Sequence, residues 1–179
     1  NIRIFDSSWH MPNAGRDAEA EYNAIHIPGA LFFDVDEIAD TDSALPHMMP
    51  SEEKMASRLR SFGVTNTNHI IIYDNSGGLS AARGWYMFKT FGHKNVSILD
   101  GGLAKWVADG HAVNDDIPVF STSHYTAFKD KNATRTVEQL IENVSTEKEQ
   151  VVDARSNGRF LGTEAEPRAG LKSGHIPGS

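Results

Sequence analysis

At 179 residues, 39% hydrophobic and 23% charged, the chain has the composition of a globular protein and the length of one ordinary domain, or of one domain plus part of another. A formal charge of −7 with no basic stripe excludes a general nucleic-acid binder, and no apolar run approaches the roughly 20 residues a membrane-spanning helix needs. With no cysteine, these residues cannot supply a disulfide, a thiolate metal site or a catalytic thiol, and a cytoplasmic location is the default expectation. The start, Asn1-Ile2-Arg3-Ile4-Phe5, has neither an initiator Met nor a signal-peptide pattern, which leaves room for an upstream segment.

In chain order, Ile2–Asp6 reads as a short apolar strand and Asp17–Ala24 as a short helix. His26-Ile27-Pro28-Gly29-Ala30 then turns into a strand at Leu31-Phe32-Phe33. After a polar loop, Ser51 is placed to cap a helix with Glu52 and Glu53 at its positive end, Met55, Leu59 and Phe62 on one face, and Gly63 as its stop. His69-Ile70-Ile71-Ile72-Tyr73-Asp74 is apolar on both faces, as a buried parallel strand requires. It leads through Asn75-Ser76-Gly77-Gly78-Leu79-Ser80 into a helix expected from about Ala81 to Phe91. Val96–Leu99 follows as a strand, and Asp100-Gly101-Gly102 opens a helix through Trp106. Strands and helices alternating at this spacing predict an α/β fold, a central parallel sheet flanked by helices. Residues 114–123, rich in Asp and hydroxyls, read as a linker between a first domain at 1–113 and a second at 124–179. The second begins with a helical stripe of Val137, Leu140, Ile141 and Val144 and a strand at Gln150–Ala154.

The chain starts over. Ile4-Phe5-Asp6 recurs as Val151-Val152-Asp153, 147 residues later, and His26-Ile27-Pro28-Gly29 as His175-Ile176-Pro177-Gly178, 149 residues later. Two landmarks in the same order at nearly equal offset predict a tandem α/β unit whose second copy has its beginning only.

In open α/β sheets, ligands bind beyond the carboxyl ends of the strands, and the turn Asp74–Ser80 lies there. It reads either as an anion cradle of backbone N–H groups, with Asp74 at its mouth opposing the anion, or as a tight Gly-Gly connection without a ligand. Arg159 and Arg168 could grip a planar carboxylate, or simply pair with Glu164 and Glu166 on a surface loop. Asp36 and His47, taken by themselves, read as solvated loop residues. His10, His69, His93, His111 and His124 show no metal-ligand spacing, Met48-Met49 reads as packing rather than a copper site, and Trp9, Trp85 and Trp106 read as core. No metal or cofactor is expected.

The run Asp74-Asn75-Ser76-Gly77-Gly78-Leu79-Ser80-Ala81-Ala82-Arg83, with Trp85, Phe91-Gly92-His93, Leu99-Asp100-Gly101-Gly102 and Trp106, resembles the non-catalytic first domain of the tandem rhodanese family. In that family an Asp, here Asp74, commonly stands where the second domain carries its cysteine. The run from Asp153 to Arg168 resembles the family's substrate-binding stretch, most like that of the 3-mercaptopyruvate sulfurtransferases. The resemblance implies that Arg159 and Arg168 bind the substrate and that the Asp36–His47 pair relays a proton near the cysteine. It also implies a persulfide mechanism with a small-molecule sulfur donor and a thiol, thioredoxin or cyanide acceptor. The cysteine loop would lie beyond Ser179, so the chain alone is expected to be inert and poorly stable unless a complementary C-terminal fragment completes the second sheet. The alternatives are a thiosulfate-preferring rhodanese and a cysteine-less regulatory or docking module.

Overall fold

Four short parallel strands organise the first part of the chain: β1 (Ile2–Asp6), β2 (Ala30–Phe32), β3 (His69–Tyr73) and β4 (Val96–Ile98), in the order β2-β1-β3-β4. The register pairs Phe5 with Leu31 on one side and with Ile72 on the other. Side chains alternate across the sheet. Phe5, Ile70 and Ile72 enter a large core with Met55 and Leu59 of α2 (Glu52–Ser61) and Met87 and Phe88 of α3 (Leu79–Thr90). Ile4 and Tyr73 point into a smaller core with Leu103 and Trp106 of α4 (Gly102–Ala108). On the small-core side, Tyr22 of α1 (Ala18–Ala24) donates its hydroxyl to Ala30 O at 2.8 Å. Phe5 lies in an aromatic cluster, its ring 5.7 Å from Phe33 edge-on and 5.6 Å from Phe88. This computed structural model describes residues 1–168 and 170–179. The expected α/β class and parallel sheet are formed.

The local signals work as anticipated where they are strongest. Ser51 Oγ accepts the Lys54 N–H at 3.1 Å, capping α2. Gly63 ends that helix at φ 66°, and a Cβ there would also meet Phe120 Cβ at 2.7 Å.

The boundary differs from the sequence reading. The chain divides into compact units Asn1–Asp130 and Lys131–Ser179, so residues 114–123, expected as a linker, and 124–130, expected in the second domain, belong to the first unit. Hydrogen bonds to this strap's backbone, which composition does not show, fasten it to the first unit. The Ser123 N–H donates to Arg60 O at 3.1 Å, Asn66 and Thr126 exchange two bonds of 2.8 and 3.0 Å, and the Asp130 N–H donates to Thr90 O at 2.8 Å. Tyr125 is fully buried within the large core, and Phe120 packs against it.

His93, also buried, joins the strap to the sheet. Its Nε2 lies 3.0 Å from Asn68 O and must donate to it, so in the neutral ring Nδ1, 3.1 Å from the Tyr125 hydroxyl, accepts from that hydroxyl. Burial holds the His93 pKa below its ordinary value, so the neutral ring is favoured by folding. Its contribution to stability is complete above about pH 6.5 and is lost as pH falls from there toward the lower folded value. Urea melts followed by tryptophan fluorescence should show a lower midpoint at pH 5.5 than at pH 7.5. A His93→Gln variant should lose most of that difference.

The second unit contains α5 (Val137–Thr146), closed by a Thr136/Gln139 capping box, and α6 (Asn157–Leu161), capped by Ser156. The expected apolar stripe forms but faces solvent, with Val137 and Ile141 each 65% exposed. The expected strand at Gln150–Ala154 does not form; among the described residues of this unit there is neither a strand nor a residue buried as a whole. A strand exists only as part of a ladder, and 150–154 has no neighbour to pair with.

Even so, the repeated sequence landmarks adopt matching local geometry. Asp6 Oδ1 accepts the Ser8 N–H at 2.8 Å, and Asp153 Oδ1 the Arg155 N–H at 3.0 Å. His26 stacks on Tyr22 at 4.2 Å with Nδ1 bonded to Tyr22 O; His175 stacks on Phe160 at 3.9 Å with Nδ1 bonded to Phe160 O. The Ile-Pro-Gly turns close with Ala30 N–H donating to Ile27 O and Ser179 N–H donating to Ile176 O.

Candidate active site

In the first unit the loop between β2 and α2 brings Asp36 and His47 together. Asp34 Oδ1 accepts the N–H groups of Asp36 and Glu37, and buried Val35 and Ile38 anchor this turn to the core, which fixes Asp36. The far arm is held by the Asp40 N–H donating to Met48 O at 2.9 Å and by Met49 packing on the core, whereas Met48 is 43% exposed and does not pack as expected. Asp36 Oδ1 meets His47 Nδ1 at 2.9 Å, and Asp36 Oδ2 accepts the Trp9 indole N–H at 2.8 Å. The Trp9 ring meets the His47 ring edge-on at 5.0 Å. With Nδ1 bound to a carboxylate, Nε2 is the ring atom left to take or give a proton. Trp9, which packs against the large core as expected, is also part of this group, a role that its position after a strand did not signal.

Asp74 corrects the sequence reading of the β3–α3 turn. Its carboxylate is not at the mouth opposing an anion; it turns inward and is itself the anion in the cradle. Oδ1 accepts the N–H groups of Ser76 at 3.0 Å and Gly78 at 2.8 Å, and Oδ2 those of Ala81 at 2.8 Å and the Ser80 hydroxyl at 3.0 Å. Burial pushes the Asp74 carboxyl up, but the backbone N–H bonds from Ala81, Gly78 and Ser76 outweigh it and leave the pKa below the ordinary carboxylate range. The neighbouring loop is pinned by Glu21, which binds Arg16 at 2.6 Å, His10 at 3.1 Å and the Asn75 side chain at 3.3 Å. Its pKa falls to about 2, chiefly through Arg16.

In the second unit Arg159 sits on α6 and Arg168 lies beyond it, but the two are not joined in one clamp. The Arg159 guanidinium donates to Glu166 Oε2 at 2.6 and 3.1 Å, while Arg168 is exposed. Arg155, which sequence reading passed over, is the centre of this unit's polar network. It bonds Asp153, Glu166 Oε1 at 2.8 Å and Gly174 O at 2.6 Å. The Glu166 side chain, 4% exposed, is held below its usual pKa first by Arg159. Asp153, bonded by Arg155, falls to about 2. The only early signal for Arg155 was its place two residues after the repeated Asp. An open cavity of about 660 Å³ in this unit is lined by Asp153, Arg155, Lys172 and His175 among others. Among the described residues no group of three or more His, Asp or Glu is placed to hold a metal, and no helix is long and apolar enough to cross a membrane.

A sequence profile of the rhodanese-like domain matches residues 15–109. The chain belongs to the rhodanese family. It is 43% identical over 180 residues to 3-mercaptopyruvate sulfurtransferase of Rattus norvegicus and 43% identical over 180 residues to thiosulfate sulfurtransferase of Gallus gallus. Each alignment covers 99% of this chain and 61% of the relative, so the rhodanese chain spans about three-fifths of their length. The crystal structure of SseA from Escherichia coli, titled as a study of 3-mercaptopyruvate sulfotransferases, superposes with a TM-score of 0.88 at 36% identity, covering 99% of this chain and 66% of SseA. The fold expected from the resemblance is thus the fold found.

Proposed function

We propose that these residues are the N-terminal part of a two-domain sulfurtransferase. It would move a sulfane sulfur from 3-mercaptopyruvate to a small thiol, thioredoxin or cyanide. The observation that carries this is the Asp36–His47 pair, already joined at 2.9 Å in a chain 43% identical to a 3-mercaptopyruvate sulfurtransferase. The matched turns, histidine stacks and Asp-anchored bonds of the two units support a tandem duplication, with Asp74 in the first copy standing where the second would carry cysteine.

In this reading a cysteine thiolate outside these residues attacks the sulfur of 3-mercaptopyruvate. The carbon–sulfur bond breaks, the enolate leaving group takes a proton and departs as pyruvate, and the cysteine keeps the sulfur as a persulfide. An acceptor thiolate then takes the outer sulfur and frees the cysteine thiolate. His47, oriented by Asp36, would relay the proton. Arg159 and Arg168 would bind the carboxylate and ketone end of the donor, once the complete second copy draws Arg168 toward Arg159. A thiosulfate preference is the second reading, supported by equal identity to a thiosulfate sulfurtransferase.

The test is an intact-mass measurement on the native protein followed by a sulfide-release assay. A mass above 19.7 kDa, a cysteine that gains one sulfur atom from 3-mercaptopyruvate, and pyruvate formed alongside sulfide are expected. Turnover with thiosulfate but not with 3-mercaptopyruvate would select the second reading. A native mass of 19.7 kDa with no turnover would sink both and favour a cysteine-less docking module.

A further inference from the structure

The geometry points to Arg83 as a positioning residue for the Asp36–His47 pair: its guanidinium holds the His47 backbone in a left-handed conformation that aims the ring at Asp36. His47 has φ 58°, one of two non-glycine residues in that region among the described residues. A side chain with a Cβ disfavours it, so the surroundings must impose it. Asp36 and Trp9 hold the ring. The described side-chain bond that holds the His47 carbonyl comes from Arg83 Nη2. A shift of His47 to negative φ would swing its Cα–Cβ direction and carry the ring away from the carboxylate.

Arg83 is well placed to set a fixed point. It sits in the middle of α3, a twelve-residue helix whose first turn is tied down by Asp74. The next residue, Gly84, packs so closely on the sheet that a Cβ would meet the Oγ of Ser7, just after β1, at 3.1 Å and Ile72 of β3 at 3.4 Å. The guanidinium is otherwise under-used. It has no carboxylate partner among the described residues, and its Nε is buried without a hydrogen-bond partner. Burying a guanidinium is unfavourable unless its donors are satisfied. An arginine serving the core alone would be expected to carry a carboxylate. Here the position is kept for one carbonyl, that of His47.

This inference deepens the proposed proton relay and rests on it only for its purpose; the geometry is testable without turnover. The probe is the nitrogen-15-labelled 179-residue chain, read by the three indole N–H resonances and by the nuclear Overhauser contact between the Trp9 and His47 rings. In Arg83→Met the Trp9–His47 contact should be lost and the Trp9 indole signal displaced, while Trp85 and Trp106 stay in place. Arg83→Lys, which keeps a donor for the carbonyl, should retain both Trp9 signatures. An unchanged Trp9–His47 contact in Arg83→Met overturns the inference, and so does displacement of all three indoles together, the mark of a merely structural role. Loss of the contact in Arg83→Lys as complete as in Arg83→Met overturns the donor role. Failure of the relay reading looks different: a His47→Gln variant of the whole protein would turn over normally while the Arg83 signatures remained as expected.

Discussion

Replacing Tyr125 with alanine is expected to destabilise the Asn1–Asp130 unit by about 3–5 kcal/mol, the usual range for removing a large aromatic from a packed core. Tyr125 is fully buried, and its ring stacks with His93 at a centroid distance of 5.7 Å. The substitution empties that space and leaves His93 Nδ1 without its donor, which adds the penalty of an unsatisfied buried acceptor. Tyr125→Phe separates the two contributions. It keeps the ring and removes only the hydroxyl, so it should lose about 1–2 kcal/mol. The three tryptophans, Trp9, Trp85 and Trp106, all lie in the first unit, so fluorescence-detected urea unfolding of the whole chain reads this unit without interference from the second. A Tyr125→Ala midpoint close to that of the unchanged chain would mean that the strap is detached in solution. The unit would then end near residue 113, as composition alone suggests.

That strap shows where sequence reading runs out. The strands, the capped helices and the Gly-closed turns are encoded locally, in periodicities and caps spanning a few residues, and they were legible. The repeated Asp and His-Ile-Pro-Gly landmarks were legible for the same reason. Residues 114–130 carry no such period. Their hold on the first unit comes from backbone bonds to Arg60, Thr90 and Phe91, from side chains far away in sequence such as Asn66 and Glu52 that bond the strap's backbone, and from three apolar side chains, Phe120, Tyr125 and Ala127, set among hydroxyls. The strand at Gln150–Ala154 failed for the opposite reason. Its local pattern is right, yet pairing is a property of two segments, and the two strands that flank β1 in the first unit, β2 and β3, have no counterpart among the described residues of the second.

The candidate site divides in the same way. Asp36 and His47 were legible as a pair because a family resemblance named them, His47 standing eleven positions after Asp36. Trp9 and Arg83 were not, since each reaches the loop from a distant element. Glu166 takes the Arg159 guanidinium, and nothing in the sequence told that it would sit between Arg159 and Arg155. That arrangement matches the plainer of the two sequence readings for Arg159, a pairing with a nearby glutamate. The substrate role of Arg159 in the proposed function therefore requires its guanidinium to bind a donor carboxylate alongside Glu166 or in its place.

Asp74→Ala is expected to lower the stability of the first unit by about 2–4 kcal/mol, because one truncation strips the acceptor from three backbone N–H groups and a hydroxyl around the first turn of α3. Gly78, with φ 94°, keeps the turn in a shape that aims those N–H groups at one point, so they cannot all find other partners within the loop. The loss should depend on pH with a definite sign. The Asp74 carboxyl is held below its ordinary pKa, so its contribution is complete above about pH 3.9 and fades as pH falls through the folded value. Asp6, beside it at the end of β1, acts in the opposite direction. Burial raises its pKa, so an unfavourable contribution present at neutral pH is relieved as pH falls through that raised value toward about 3.9. Urea midpoints for the unchanged chain, Asp74→Ala and Asp6→Asn between pH 7 and about pH 2 separate the two. The gap between the unchanged chain and Asp74→Ala should be widest near neutrality and narrow only at the acid end, whereas Asp6→Asn should gain on the unchanged chain at neutral pH and lose that advantage in acid. A gap for Asp74→Ala that stays constant from neutrality down to about pH 2 would mean that the side chain fills the cradle by shape and neutral hydrogen bonds, and that its charge contributes nothing to holding the first turn of α3.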